Sequence, residues 1–98
     1  MSSSCVYILY SEKLDKYYIG STEDLALRLH IHNHPHEDRK FTAKGLPWVL
    51  KCSIDCRDKP SALALERRIK SMKSRKFIER LLSEELFRTE FCQSFASD

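Results

Sequence analysis

The sequence predicts an α+β fold, a small three-stranded antiparallel sheet flanked by helices in the order β-β-α-β-α-α. Three observations predict it. Two β-branched and aromatic runs, residues 5–10 and 17–20, stand close enough to form a hairpin. A third run of the same character, residues 48–54, follows a long polar stretch. The segments between and beyond carry apolar residues three and four apart, the spacing of one helix face.

Cys5-Val6-Tyr7-Ile8-Leu9-Tyr10 is the first strand and Tyr17-Tyr18-Ile19-Gly20 the second, joined by a polar loop of about four residues. A register that sets Tyr10 opposite Asp15 sets Tyr7 opposite Tyr18, and directly opposed residues share a face. A slip of one residue would part the two tyrosines. Ser21-Thr22-Glu23-Asp24 reads as a helix start, with a hydroxyl cap and acids at the positive end of the dipole. The helix runs to about Asn33, with Leu25 and Leu29 as its apolar seam and Pro35 marking its end. Residues 34–47 read as a long loop. Beyond the third strand, Lys59-Pro60-Ser61 precedes a helix over about 61–73, whose stripe is Ala62, Leu65, Ile69 and Met72. Ser74-Arg75 breaks it, and a helix over about 75–83 packs through Phe77, Ile78, Leu81 and Leu82. Phe87, Phe91 and Phe95 recur every four residues after that, which leaves open extension of the helix, docking on the body, or fraying. The reading is one domain, 1–83, with an acidic C-terminal tail, 84–98.

With 98 residues, 42% hydrophobic and 32% charged, the chain has ordinary globular usage. That excludes a wholly disordered or collagen-like chain. No apolar run reaches the roughly 18 residues of a membrane span, and Met1-Ser2-Ser3-Ser4 does not open a secretory signal, so the expected location is the cytoplasm and no membrane is expected as partner. Cys5, Cys52, Cys56 and Cys92 are then expected as reduced thiols, Cys52 and Cys56 as small apolar fillers. Residues 1–83 carry sixteen Lys and Arg against ten Asp and Glu, while residues 84–98 carry one against four. A basic body suits a polyanion, and +6 is equally an ordinary solubility charge.

Four groups of residues carry candidate chemistry. Tyr7 and Tyr18 on one sheet face, with Arg28 and His32 four apart on the next helix, could bind a phosphate and hold a water; each alone is also an ordinary packing or solvated residue. Glu66 sits about 100° from Leu65, at the border of an apolar stripe, where a carboxylate pairs with a cation such as Lys70 or ligates Mg²⁺. His30, His32, His34 and His36 with Cys52 and Cys56 raise zinc, but His30 and His32 diverge on a helix, and the cysteines lie about 13 Å apart on a regular strand. Arg67, Arg68, Lys70, Lys73, Arg75, Lys76 and Arg80 form a basic run that is either a solvated helix face or a grip on phosphates.

Val6-Tyr7-Ile8 followed by Tyr17-Tyr18-Ile19-Gly20, then Ser21-Thr22-x-x-Leu25-x-x-Arg28-Leu29-x-x-His32-Asn33, resembles the GIY-YIG nuclease family over about residues 5–83. The chain is most similar to the short, stand-alone bacterial members related to the catalytic domain of the excision-repair nuclease. The resemblance implies a β-β-α-β-α-α core and a metal-dependent DNA endonuclease that hydrolyses phosphodiester bonds in DNA repair or processing, on substrates such as branched or damaged DNA. It assigns Tyr7 and Tyr18 to the site, one of them as general base. Arg28 holds the scissile phosphate, His32 hydrogen-bonds within the site, and Glu66 holds one Mg²⁺ or Mn²⁺. Arg28 and a cation would favour a phenolate or hydroxide over a phenol of ordinary pKa. The chain departs from the family in three places. Val6 replaces the first Gly, Ser21 stands where some relatives carry Lys, and the late Asn of many relatives is missing, since the single Asn is Asn33. A non-enzymatic nucleic-acid-binding module on the same fold is the alternative, and a small zinc or interaction domain the third reading.

Overall fold

The computed structural model describes residues 4–33 and 44–96. The strands are β1 (Ser4–Ser11), β2 (Lys16–Thr22) and β3 (Trp48–Cys56); the helices are α1 (Leu25–Asn33), α2 (Lys59–Ser71), α3 (Arg75–Ser83) and α4 (Glu85–Ala96). The three strands form one antiparallel sheet in the order β2-β1-β3. This is the α+β architecture the sequence predicts, with one more helix.

β1 is central, so its side chains are buried on both faces; Val6, Ile8 and Leu9 are fully enclosed. Val6, Ile8 and Ile19 meet Ala62, Leu65 and Ile69 of α2 and Leu81 of α3 on one face. Tyr7, Leu9 and Trp48 pack with Leu14, Leu25 and Leu29 on the other. β3 serves both cores. The ladder shifts between Ile8 and Leu9, pairing Ile8 with Cys52 but Leu9 with Leu50. The extra residue, Lys51, is a bulge that reverses the strand's facing. Trp48 and Leu50 therefore join the Tyr7 core, and Cys52, Ile54 and Cys56 the α2 core.

The hairpin register differs from the expected one by two residues: Tyr7 faces Gly20, Leu9 faces Tyr18 and Tyr10 faces Tyr17. Asp15 belongs to the turn rather than the ladder. Its backbone is left-handed, at φ 53°, and its carboxylate accepts from Tyr10 Oη at 2.5 Å and Arg75 Nη2 at 2.6 Å. Ser11 Oγ accepts from the Leu14 amide, closing the loop one residue later than expected. A two-residue shift preserves facing, so Tyr7 and Tyr18 stay on one side of the sheet.

Ser21 and Thr22 extend β2, paired with Val6 and Cys5, instead of starting α1. The cap is Asp24, whose Oδ1 accepts from the Leu27 amide at 3.0 Å. At the other end of α1, the Asn33 side chain clamps the backbone of Trp48, donating to its carbonyl at 3.1 Å and accepting from its amide at 2.7 Å. α2 begins at Lys59, two residues before the expected start, because Asp58 caps it through the Ser61 amide at 2.8 Å. Ser74 caps α3 through Phe77, and α3 has the expected bounds. Of the three outcomes open for the C-terminal segment, docking is realised. Phe87 and Phe91 of α4 meet Phe77 edge-on, with ring centroids 5.7 and 5.1 Å away, and Arg88 Nη1 donates to the Leu81 carbonyl. His34 and His36 lie outside the described residues, as do the side chains of His32 and Phe95.

Candidate active site

Tyr7 lies on the middle strand and is 2% exposed. Its ring leans across β2 at Gly20, its direct partner, so closely that a Cβ there would stand 2.6 Å from Cζ. No other residue type leaves this passage open. Tyr18, diagonal to it, stacks at 6.3 Å between centroids and 21° between planes. Trp48 backs Tyr18 edge-on at 6.0 Å. Tyr18 is half-buried and Tyr7 fully so. Burial above all pushes the Tyr7 phenol upward; the neighbouring Tyr18 adds to this, Arg28 opposes it, and Glu66 and Cys5 raise it further. Arg28 thus acts in the expected direction, but desolvation outweighs it, and the neutral phenol is favoured.

Those same influences place Arg28 and Glu66 within electrostatic reach of the Tyr7 hydroxyl. Arg28 sits one turn into α1, its amide bonded to the carbonyl of the capping Asp24. Its side chain lines a cleft of about 240 Å³ with Ser4, Ser21, Glu23, Lys59 and Ala62. The Ser4 hydroxyl is buried at this cleft with no partner among the described residues. His32 lies one turn beyond Arg28 by its backbone.

Glu66 approaches from α2, on the opposite sheet face from Tyr7. β2 is an edge strand, and Glu66 still acts electrostatically on the Tyr7 hydroxyl. The Glu66 side chain is 17% exposed. Ser21 of β2 donates to Oε1 at 2.7 Å, and Lys70 donates to Oε2 at 2.6 Å. The pairing with Lys70 expected of a border carboxylate is therefore present, together with a strand contact that helix spacing does not disclose. Tyr7 and Tyr18 thus stack on one another, and Arg28 and Glu66 each act electrostatically on the Tyr7 hydroxyl.

Of Tyr7, Tyr18, Arg28 and Glu66, the Glu66 carboxylate beside Ser21 is the group that could ligate a Mg²⁺ or Mn²⁺ ion keeping most of its water. Among the described residues no three His, Cys, Asp or Glu groups stand where they could share an ion, so an ion on Glu66 would be completed mostly by water. Cys52, Cys56 and Cys92 are half-buried free thiols on the α2 side, pushed upward mainly by burial; they fill the core.

The basic run divides. Arg75 is structural: it bonds the Asp15 carbonyl and carboxylate and Glu79, and its guanidinium lies 5.4 Å from the Tyr17 ring centre. Arg80 pairs with Glu84 and covers Phe87. Arg67, Arg68, Lys73 and Lys76 are exposed and form no ion pair with the described residues. Sequence reasoning missed Lys59 and Ser4 at the cleft, because only the pairing of β1 to its first residue brings them together. It gave Gly20 no role and read Ser21 as part of a helix start; the register was the missing signal.

Residues 3–79 match the family model described as the GIY-YIG catalytic domain. No curated protein and no solved structure matches the chain. Among the described residues no helix is long and apolar enough to cross a membrane.

Proposed function

Since the chain belongs to the GIY-YIG catalytic-domain family, a family of nucleases, we propose that it is a divalent-metal-dependent DNA endonuclease, hydrolysing phosphodiester bonds in DNA repair or processing in the cytoplasm. The observation that carries this is the stacked pair Tyr7–Tyr18, with Arg28 and Glu66 acting electrostatically on the Tyr7 hydroxyl. Phosphodiester hydrolysis needs a base for the attacking water, charge neutralisation on the phosphate and support for the leaving oxygen.

Arg28, lining the cleft, binds the scissile phosphate and neutralises its charge. Tyr18, the more accessible phenol, takes the proton of the attacking water. Tyr7, held neutral by burial, donates from its hydroxyl and keeps that water or a phosphate oxygen in place. His32, one turn after Arg28, assists the proton transfer. Glu66 would hold Mg²⁺ or Mn²⁺, which when bound supplies charge to the leaving side.

The test is a nicking panel over duplex, branched, damaged and single-stranded DNA with Mg²⁺ or Mn²⁺. Cleavage is expected on some member and is lost in Tyr18→Phe, Arg28→Ala and Glu66→Ala with circular dichroism unchanged. Folded, metal-loaded protein that binds every substrate and cuts none would overturn the proposal. One observation favours a second reading, a nucleic-acid-binding module without catalysis: both Glu66 oxygens already have protein donors. Salt-sensitive DNA binding that survives Glu66→Ala, with no cleavage, would select it.

A further inference from the structure

We propose that Lys70 is an internal counter-cation that occupies the metal's place on Glu66 and sets how tightly the site takes a divalent ion. This rests on the metal reading of Glu66 given above. The two donors on the carboxylate are unlike. Ser21 reaches Oε1 at 2.7 Å from the edge strand, as a neutral hydroxyl on a short, fixed side chain. Lys70 reaches Oε2 at 2.6 Å from one turn along α2, as a charged group on a long stem. The Lys70 side chain is 53% exposed against 17% for Glu66, so its ammonium keeps access to water while holding Oε2.

With both oxygens engaged, an ion gains Glu66 only by displacing a donor. The ammonium shares the ion's sign and is repelled by it, while the hydroxyl is not. Lys70 is therefore the group that leaves, and its four-carbon stem lets it swing into water without moving α2. Ser21 stays and fixes the carboxylate's orientation.

The test measures Mn²⁺ alone, without DNA, binding to the full chain by electron paramagnetic resonance of the free ion. Wild type is compared with K70M, K70Q, K70R, S21A and E66Q, each checked for folding by circular dichroism. Removing a half-exposed ion pair should tighten Mn²⁺ by about two- to fivefold in K70M and K70Q. K70R, which keeps the charge, should stay near wild type; S21A should not tighten, and E66Q should weaken. The rise in Tm on adding Mn²⁺ should be larger in K70M than in wild type. If E66Q weakens binding but K70M and K70Q bind as wild type or more weakly, the role of Lys70 is overturned and the metal reading stands. If E66Q binds as wild type does, the metal reading of Glu66 fails and this proposal falls with it.

Discussion

The Tyr7 hydroxyl reaches the edge of the sheet by crossing Gly20, where an added Cβ would lie 2.5 Å from its oxygen. The contact is fixed from both sides, since Tyr7 and Gly20 are direct partners in the β1–β2 ladder and the Tyr7 ring is enclosed by the Leu9–Trp48 core. A methyl group at position 20 must therefore push either the ring or the strand.

Gly20→Ala is expected to destabilise the fold by about 1–3 kcal/mol, the range for overpacking a filled site. It should also abolish nicking more completely than the stability loss explains. Urea unfolding gives the first quantity, and activity of the folded fraction gives the second. A stable, fully active alanine variant would show that the ring has another path.

Tyr7 also has a pH signature. Its phenol is raised above the ordinary value of about 10 by burial. In the unfolded chain it ionises near pH 10, while in the fold it stays neutral to higher pH. The stability it contributes is complete below about pH 10 and is lost as pH climbs from there toward the folded value. Tyr7→Phe cannot ionise, so its Tm should fall less than wild type between about pH 10 and 12. Parallel curves through that range would exclude a buried neutral phenol.

Asn33 holds the start of β3 to the end of α1 by two hydrogen bonds to Trp48. At about 1 kcal/mol for each, Asn33→Ala should cost about 2 kcal/mol. Because Trp48 backs Tyr18, the same variant should loosen the Tyr18 ring, seen as exchange broadening of its resonances. Unchanged stability would mean the clamp has no energetic weight.

α4 is held to the body by aromatic contacts of Phe87 and Phe91 with Phe77. Phe91→Ala should cost about 2 kcal/mol, below the range for a fully enclosed ring because Phe91 is half-buried. Amide exchange over residues 85–96 should accelerate ahead of the sheet. Equal protection of helix and sheet in this variant would place the docking energy elsewhere.

Hydrophobic patterning already contained the three strands, the first three helices and the shared facing of Tyr7 and Tyr18, because side-chain period is a local property of the backbone. Patterning also separated α3 from α2 at Ser74, through a cap whose chemistry is local. The hairpin register was not local. It depends on Asp15 being drawn out of the ladder by Arg75, sixty residues away. Alternation along β3 reads as one buried face, and the bulge at Lys51 that divides it between two cores follows from its pairing with β1. The partnership of Glu66 with Ser21 arises because Ser21, the ladder partner of Val6, faces the side of the sheet on which α2 packs. Local periodicity sets which way a side chain points; long-range pairing sets what it meets there.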